Sequence, residues 1–297
     1  MAQSYTVEEV AQLLKVSKLT IYDLVKKEQL PTFRVGRQMR ISHEDLQAYI
    51  QQHKTGAAAV SPTKDKIIIG GQDIVLDMLG KYIEHQTGTK TLRSYEGSFN
   101  GIMALYHGEC DIASLHLYDG DTNTYNTPYV KKILVSHQYV LINLVKREAG
   151  LYVQQGNPLG ITTIEDIVTT KATFINREKG SGARALFDEK LRIHNIAPSD
   201  IKGYDKEQLS HLDVASAVAN GHADVGIGIQ KTAKLINVEF IPLITERYDI
   251  VLLKTAQTAA LIQTIKDILR SLAFKEEVVA LGHYDTSLTG EVMYETL

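Results

Sequence analysis

From about residue 66 onward the chain repeats one local grammar: a β-branched run, a corner of small residues, then a helix-like stretch. "KIIIGGQD" precedes "IVLDMLGKYIEHQ", "TKTLRSY" precedes "EGSFNGIMALYHGECD", and "KATFINREKGSG" precedes "ARALFDEKL". "IASLHLYD" and "DVASAVANGHAD" followed by "VGIGI" belong to the same series. Strand, corner and helix in alternation are the signature of an α/β fold. That constraint matters for function, because open α/β folds take ligands in crevices at the carboxyl ends of their strands, where these corners stand.

A corner that opens a helix presents backbone N–H groups with no partner inside the helix, and the helix dipole there favours negative charge. Gly70 and Gly71 followed by Gln72 and Asp73, then Gly97 and Ser98, then Gly180, Ser181 and Gly182 make three such corners; Asp213 to Ala215 is read as a fourth. Any one of them serves equally as a plain turn, since glycine permits positive φ and close packing. Several in one chain point to a shared crevice. The expected ligand-binding residues are Gly71, Gln72, Asp73, Gly97, Ser98, His116, Gly180, Ser181, Gly182, Arg184, Val214 and Ala215.

Within that set, His116 ends an apparently buried strand and reads equally as a satisfied core histidine or a ligand contact. Arg177 and Arg184 flank the glycine-serine-glycine corner. They can neutralise an oxoanion or pair with Asp188 or Glu189 nearby. Tyr118, Tyr125 and Tyr129 line a cleft or fill apolar gaps.

The first fifty or so residues follow a different plan. Thr6 and Glu9 have capping-box spacing ahead of Val7, Val10, Leu13 and Leu14. After the break "KVS", Ser17 can cap a second helix with Leu19, Ile21, Leu24 and Val25 available for burial. Two short helices across so tight a turn form a helix-turn-helix, whose second helix fits the DNA major groove. "PTFRVGRQMRI" then reads as a hairpin or wing bearing Arg34, Arg37 and Arg40, and Ser42 with Asp45 restarts a helix. "HKTGAAAVSPTK" lacks any period and reads as a linker. The expected organisation is a head at 1–52, a linker at 53–64 and a body at 65–297.

Composition narrows the function classes. A length of 297 residues favours more than one domain. Residues 1–56 carry 8 Lys or Arg against 6 Asp or Glu, on a chain of net charge −3, so a slightly basic head sits on an acidic body. No apolar run approaches the ~18 residues of a membrane span, and the opening "MAQSYTVEEV" lacks a signal peptide's apolar core, so a cytoplasmic address without membrane contact is expected. The single Cys110 excludes an intrachain disulfide. Ser181 stands outside a G-x-S-x-G elbow, "GSGAR" lacks the Lys-Ser/Thr of a P-loop, and His107 with Cys110, or His211 with Asp213, lack the further ligands of a metal site. No catalytic residues, metal or cofactor are expected.

Two family resemblances sharpen this. Residues 5–50, in the order "YTVEEVAQLLKVSKLTIYDLVKKEQLPTFRVGRQMRIS", resemble the winged helix-turn-helix of the excisionase and MerR-type families. The resemblance implies that Lys18, Thr20, Tyr22 and Lys26 face the groove while Arg37 and Arg40 hold phosphates; Tyr22 packing in the small core is the alternative. "EGSFNGIMALYHGECDIASLHLYDGDTNTYNTPYV", "NREKGSGARALFD" and "ERYDIVL" resemble a cytoplasmic domain related to type II periplasmic binding proteins, notably the molybdate-binding branch. The resemblance covers nearly all of residues 65–255. It implies a two-lobed α/β body, a second lobe at about 148–240, and crossings near "LVKREAGLYV" and "VEFIPLITERYDI". Where many relatives read Gly-Ser-His-Asp, this chain has Gly70-Gly71-Gln72-Asp73, which removes a hydroxyl and an imidazole from the first corner.

The expectation is therefore a small, mainly α winged head on an α/β two-lobed body. Its function would be that of a one-component transcriptional regulator, acting as a homodimer or higher homo-oligomer. It would bind double-stranded DNA and sense a small anionic ligand such as molybdate or tungstate. An excisionase-like architectural protein, or an enzyme acting on a small anion, is the alternative.

Overall fold

The computed structural model describes residues 4–27, 29–36, 38–52 and 66–297. Two compact units divide the chain, Met1–Thr63 and Lys64–Leu297. The expected linker and Arg37 lie outside the described residues.

In the head, a short strand β1 (Ser4–Thr6) leads into helix α1 (Val7–Leu14) through a complete capping box. The Thr6 hydroxyl accepts the Glu9 N–H, and the Glu9 carboxylate accepts the Thr6 N–H at 2.7 Å. Lys15 adopts a left-handed conformation, φ 54°, and turns the chain. Ser17 accepts the Thr20 N–H at 3.1 Å and so starts α2 (Lys18–Lys26). Strands β2 (Phe33–Val35) and β3 (Gln38–Ser42) form the wing, with β1 on the other edge of β3. The Ser42 hydroxyl accepts the Asp45 N–H at the start of α3 (His43–Gln52).

Val7, Val10, Ala11, Ile21, Leu30, Ile41 and Leu46 are the buried core of this unit. Leu13 and Leu19, read above as core candidates, are 58% and 80% exposed. The helical period explains both: Ala11 completes the stripe with Val7 and Val10, and Leu19 stands roughly 160° around the helix from Ile21. Seven residues are a small core. Ile21→Ala should therefore cost about 2–5 kcal/mol, enough to unfold the head. Amide spectra should show its dispersed signals collapsing while those of the body persist.

In the body, β4 (Lys66–Gly70), α4 (Val75–Thr87), β5 (Lys90–Ser94), α5 (Ser98–His107) and β6 (Ile112–Leu115) set up a parallel array with β4 between β5 and β6. A small ribbon, β7 (Tyr118–Asp119) with β8 (Thr124–Tyr125), and helix α6 (Thr127–Ile133) follow. The chain then enters β9 (Tyr139–Val153), fifteen residues long and buried except at Lys146 and Glu148. Helix α7 (Ile164–Thr169), β10 (Phe174–Arg177), α8 (Gly182–Ile193), β11 (Glu207–Gln208), α9 (His211–Ala219), β12 (Val225–Ile229) and α10 (Gln230–Ile236) build a second array. Strand β13 (Glu239–Leu253) returns, and α11 (Ala259–Arg270), α12 (Leu272–Ala280) and β14 (Val292–Glu295) finish the unit.

Strands β9 and β13 pair antiparallel along their whole length, from Tyr139 opposite Leu253 to Val153 opposite Glu239. The sheet order β11-β10-β12-β9-β13-β6-β4-β5 makes this pair a spine shared by two lobes, with β14 added to β9. Each lobe has helices on both faces. In the first, α4, α11 and α12 cover one apolar cluster and α5 and α6 another; in the second, α7 and α8 cover one and α9 and α10 another. Since β9 feeds both lobes, its near-continuous apolar run is what a strand buried on both faces requires.

Candidate ligand-binding cleft

The cleft is built around the middle of the spine, where Arg147 of β9 stands opposite Glu246 of β13. The Arg147 Nε donates to Glu246 Oε1 at 2.5 Å, and its Nη1 pairs with the Asp73 carboxylate; its guanidinium lies 4.3 Å from the ring centre of Tyr248. Glu246 Oε2 accepts from His116 Nδ1 at 3.0 Å. Tyr284 donates to both Asp73 oxygens at 3.0 Å, and Tyr248 shares a 2.7 Å hydrogen bond with Ser114. Burial alone would raise the Glu246 pKa, but Arg147 and His116 hold it down to about 2. Burial pushes the Tyr248 hydroxyl up to about 12. Asp73, His116, Arg147, Glu246 and Tyr248 are all buried.

Above this floor is a cavity of about 670 Å³. Five helices begin at its wall: α4 behind Gly71–Ile74, α5 at Gly97–Ser98, α8 at Ser181–Gly182, α9 at Ser210–Leu212, and α10 at Ile229–Lys231. First-turn amides cannot bond within their own helix, and the dipoles aim positive ends at the cavity. Lys231 adds a cation; its ammonium donates to the Leu281 carbonyl, and no carboxylate pairs with it among the described residues. His211 Nδ1 is buried without a hydrogen-bond partner. Burial, then the charge of Arg177, drives the pKa of this imidazole well below 6.5, so it faces the cavity neutral.

The lobes meet at the corners before α4, α5 and α8, and at Gly120. Phe99 N–H donates to the Gly180 carbonyl at 3.0 Å, Gln72 bonds Arg177 at 2.8 Å, and the Gly120 N–H donates to Glu189 at 2.9 Å. A Cβ on Gly97 would stand 2.8 Å from the Gly180 oxygen, and one on Gly182 2.6 Å from the His116 ring. Glycine at both positions is what lets the lobes approach.

Of the expected ligand residues, Gly71, Gln72, Asp73, Gly97, Ser98, His116, Ser181 and Gly182 line the cavity together. Four do not. Val214 and Ala215 are buried in the second lobe's apolar core, because α9 begins one turn earlier: Ser210 is its cap and accepts the Asp213 N–H. The corner facing the cavity is Leu209–Leu212. Arg184 is turned inward, bonding Asp188, Glu207 and the Arg177 carbonyl. Gly180 supports Phe99 from outside the lining. Tyr118 and Tyr125 pack in the apolar cluster, and Tyr129 lies edge-on to Phe99. Arg177 lines the cavity but is paired with Glu178.

Comparison with known proteins agrees with this architecture. The family model for a PBP superfamily domain matches residues 80–270, and that for a helix-turn-helix domain matches residues 4–54. The chain belongs to the PBP superfamily. It is 48% identical over 305 residues to uncharacterized protein YvgK of Bacillus subtilis (strain 168), spanning 99% of this chain and 98% of that protein. Among solved structures, the tungstate ABC transporter from Geobacter sulfurreducens superposes with a TM-score of 0.56 at 12% identity, covering 73% of this chain and 99% of that one. A phosphate ABC transporter substrate-binding protein with bound phosphate from Clostridium perfringens gives 0.55 at 15%, covering 74% and 98%. These two likenesses concern the fold.

As a PBP superfamily member with a helix-turn-helix head, the chain carries a DNA-binding type of domain ahead of a binding-protein type. No helix among the described residues is long and apolar enough to cross a membrane. On α2, Lys18, Tyr22 and Lys26 recur every fourth residue and are exposed, Tyr22 at 51%, so Tyr22 is outside the core. Thr20 is exposed too, its hydroxyl 2.9 Å from that of Ser17. Arg40 is half-buried, and its guanidinium reaches the Ser4 carbonyl at 3.5 Å.

The ionised network sets a pH dependence. Glu246 stays charged when folded far below the ordinary 4.5, so its contribution to stability is full above about pH 4.5 and is lost as pH falls toward 2. His211 is neutral when folded, whereas the unfolded chain protonates near 6.5, so stability also falls as pH drops through 6.5. Urea midpoints between pH 3 and 8 should show both limbs. His211→Asn should remove the upper one, and Glu246→Gln should cost about 3–5 kcal/mol at neutral pH by leaving Arg147 underpaired.

Closure has its own test. Gly182→Val should hold the lobes apart, raising the radius of gyration in solution scattering relative to the parent protein.

Proposed function

We propose that the protein is a one-component transcriptional regulator. The head reads duplex DNA, and the body senses a small molecule presenting an anionic group in the cleft between its lobes. The observation that carries this reading is the convergence of the starts of α4, α5, α8 and α9, with Lys231, which no carboxylate pairs among the described residues, on one cleft between the lobes. Helix N-termini are ready-made anion seats. The residues proposed to touch the ligand are the lining corner residues Gly71, Gln72, Gly97, Ser98, Ser181 and Gly182, with His116 and His211. Asp73 serves as the anchor of Arg147. Molybdate and tungstate are the oxoanions suggested by the family resemblance, and the tungstate and phosphate proteins of like fold support an anion. A protein that reads chromosomal DNA works in the cytoplasm.

In this mechanism the ligand favours the closed lobes, and a pair of bodies carries that change to two heads set on half-sites ~34 Å apart. One head makes few contacts, which is the reason to invoke a homodimer. Lys18, Thr20, Tyr22 and Lys26 are the groove-facing set on α2, with Arg37 and Arg40 on phosphates.

Selection from a random duplex library by the full chain should enrich a two-half-site sequence, and enrichment of nothing would overturn the reading. On that sequence Lys26→Ala should weaken binding and lower the slope of log affinity against log salt by about 1.

A further inference from the structure

The cleft's size and the distribution of its apolar lining carry the reading of the ligand one step further. With the lobes in contact, about 670 Å³ remains between them. That falls in the ~300–1,000 Å³ range of sites for drug-sized ligands. A bare tetrahedral oxoanion, only a few water molecules in bulk, would occupy one corner of it.

The lining is also divided by burial. Its buried side chains are mainly polar or charged, Asp73, Ser98, Ser114, His116, Arg147, Arg177 and Ser181, joined by Ile229 and by Tyr248, whose hydroxyl bonds Ser114. Its most exposed members are large and apolar: Ile74 at 48%, Tyr95 at 67%, Leu209 at 71%, Leu212 at 45% and Leu235 at 74%. Both lobes contribute to this rim, Ile74 and Tyr95 from the first and the three leucines from the second. Single exposed apolar side chains are ordinary, but five around one cavity mouth mark a surface that something apolar covers. Strands and corners do not require apolar residues there: Leu209 and Leu212 flank the cap Ser210, and Leu235 lies near the end of α10.

We infer that the cleft takes an organic anion, a single phosphate or carboxylate head on an aromatic or aliphatic body, in place of a bare oxoanion. The head sits among the helix N-termini, Lys231 and His211, whose unpartnered Nδ1 supplies one hydrogen bond. The body of the ligand lies against Tyr95, Leu209, Leu212 and Leu235. This rests on the anion-sensing reading above.

Calorimetric titration of the full chain separates the two. Phenyl phosphate and benzoate are compared with inorganic phosphate, molybdate and the neutral benzyl alcohol. At least one of the two organic anions should bind about ten- to a hundredfold tighter than either inorganic anion, the gain expected from burying one ring. Leu209→Ser and Leu235→Ser alter residues that the fold leaves exposed and add no charge. Each should remove most of that margin while inorganic phosphate binds as before. Molybdate or phosphate binding as tightly as both organic anions, indifferent to the rim substitutions, would overturn the inference and leave the anion-sensing cleft intact. Benzyl alcohol matching phenyl phosphate would overturn the anionic head. Binding of none of the five would overturn both readings.

Discussion

The body is organised around a guanidinium that could not stand where it does alone. Arg147 projects from a strand buried on both faces, and an unpaired charge there would carry a desolvation cost of several kcal/mol. Asp73 and Glu246 neutralise it, His116 takes the second oxygen of Glu246, and Tyr284 satisfies Asp73. These partners come from five distant parts of the chain. Asp73 precedes α4, His116 follows β6, Arg147 and Glu246 sit mid-spine, and Tyr284 lies between α12 and β14. The network fixes the first helix corner, the spine and the carboxyl-terminal return as one rigid floor. An apolar replacement of the whole set would pack as well or better, as buried ion pairs generally allow. What the charges add is geometry: each bond is directional, so the corners above them are held at set positions.

That placement turns ordinary capping chemistry into a site. Ser181 and Ser210 each spend their hydroxyl on the first turn of their own helix, accepting the Arg184 and Asp213 amides, and Ser181 also donates to the Glu178 carbonyl. Their hydroxyls are thus committed to structure, and what they offer a ligand is the backbone they arrange. Ser98 differs. Gly97 is the cap of α5, and the Ser98 oxygen accepts the His116 N–H at 3.2 Å, which leaves its own proton to donate. Gly71 completes the pattern at φ 137°, where a Cβ would stand 1.9 Å from the Ser114 oxygen; only glycine lets β4 run so close to the floor.

Much of this was legible in the sequence wherever the cause is local. Capping boxes, glycine corners and the two short helices of the head are set by residues three or four apart, and the corners at Gly71, Gly97 and Gly182 were read where they stand. The fourth was placed a turn late, although Ser210 and Asp213 carry the same cap-to-N3 spacing that identified Thr6 and Glu9. Arg147 was missed. Its signal was a charged triplet, Lys146 to Glu148, interrupting an otherwise apolar fifteen-residue run. Tyr248 lies within the quoted "ERYDIVL" but, like Lys231 and Tyr284, it shows its role only once distant parts of the chain come together. Arg184 shows how two readings separate: beside a glycine corner it could serve an anion or pair with Asp188 or Glu189, and the helix period turns it toward Asp188, four residues on.

The strength of the lobe-to-lobe contacts bears on how such a cleft could report occupancy. Beyond the Phe99–Gly180, Gln72–Arg177 and Gly120–Glu189 bonds, the lobes are joined by Arg192 with Asp121, Gln230 with His283, and Lys231 with Leu281, and Tyr118 and Tyr125 pack in the second lobe's apolar cluster. Arg192 and Asp121 are half or more exposed, and pairs of that kind contribute about 0–1 kcal/mol each. Where closure is close to balanced, a ligand bridging the two lobes needs only about 1–3 kcal/mol of preference for the closed form to shift the population. A stronger latch would close the cleft whether or not a ligand were present. The buried ion network thus fixes the floor, and the exposed Arg192–Asp121 and Gln230–His283 pairs are the lobe contacts that a change in closure disturbs at least cost.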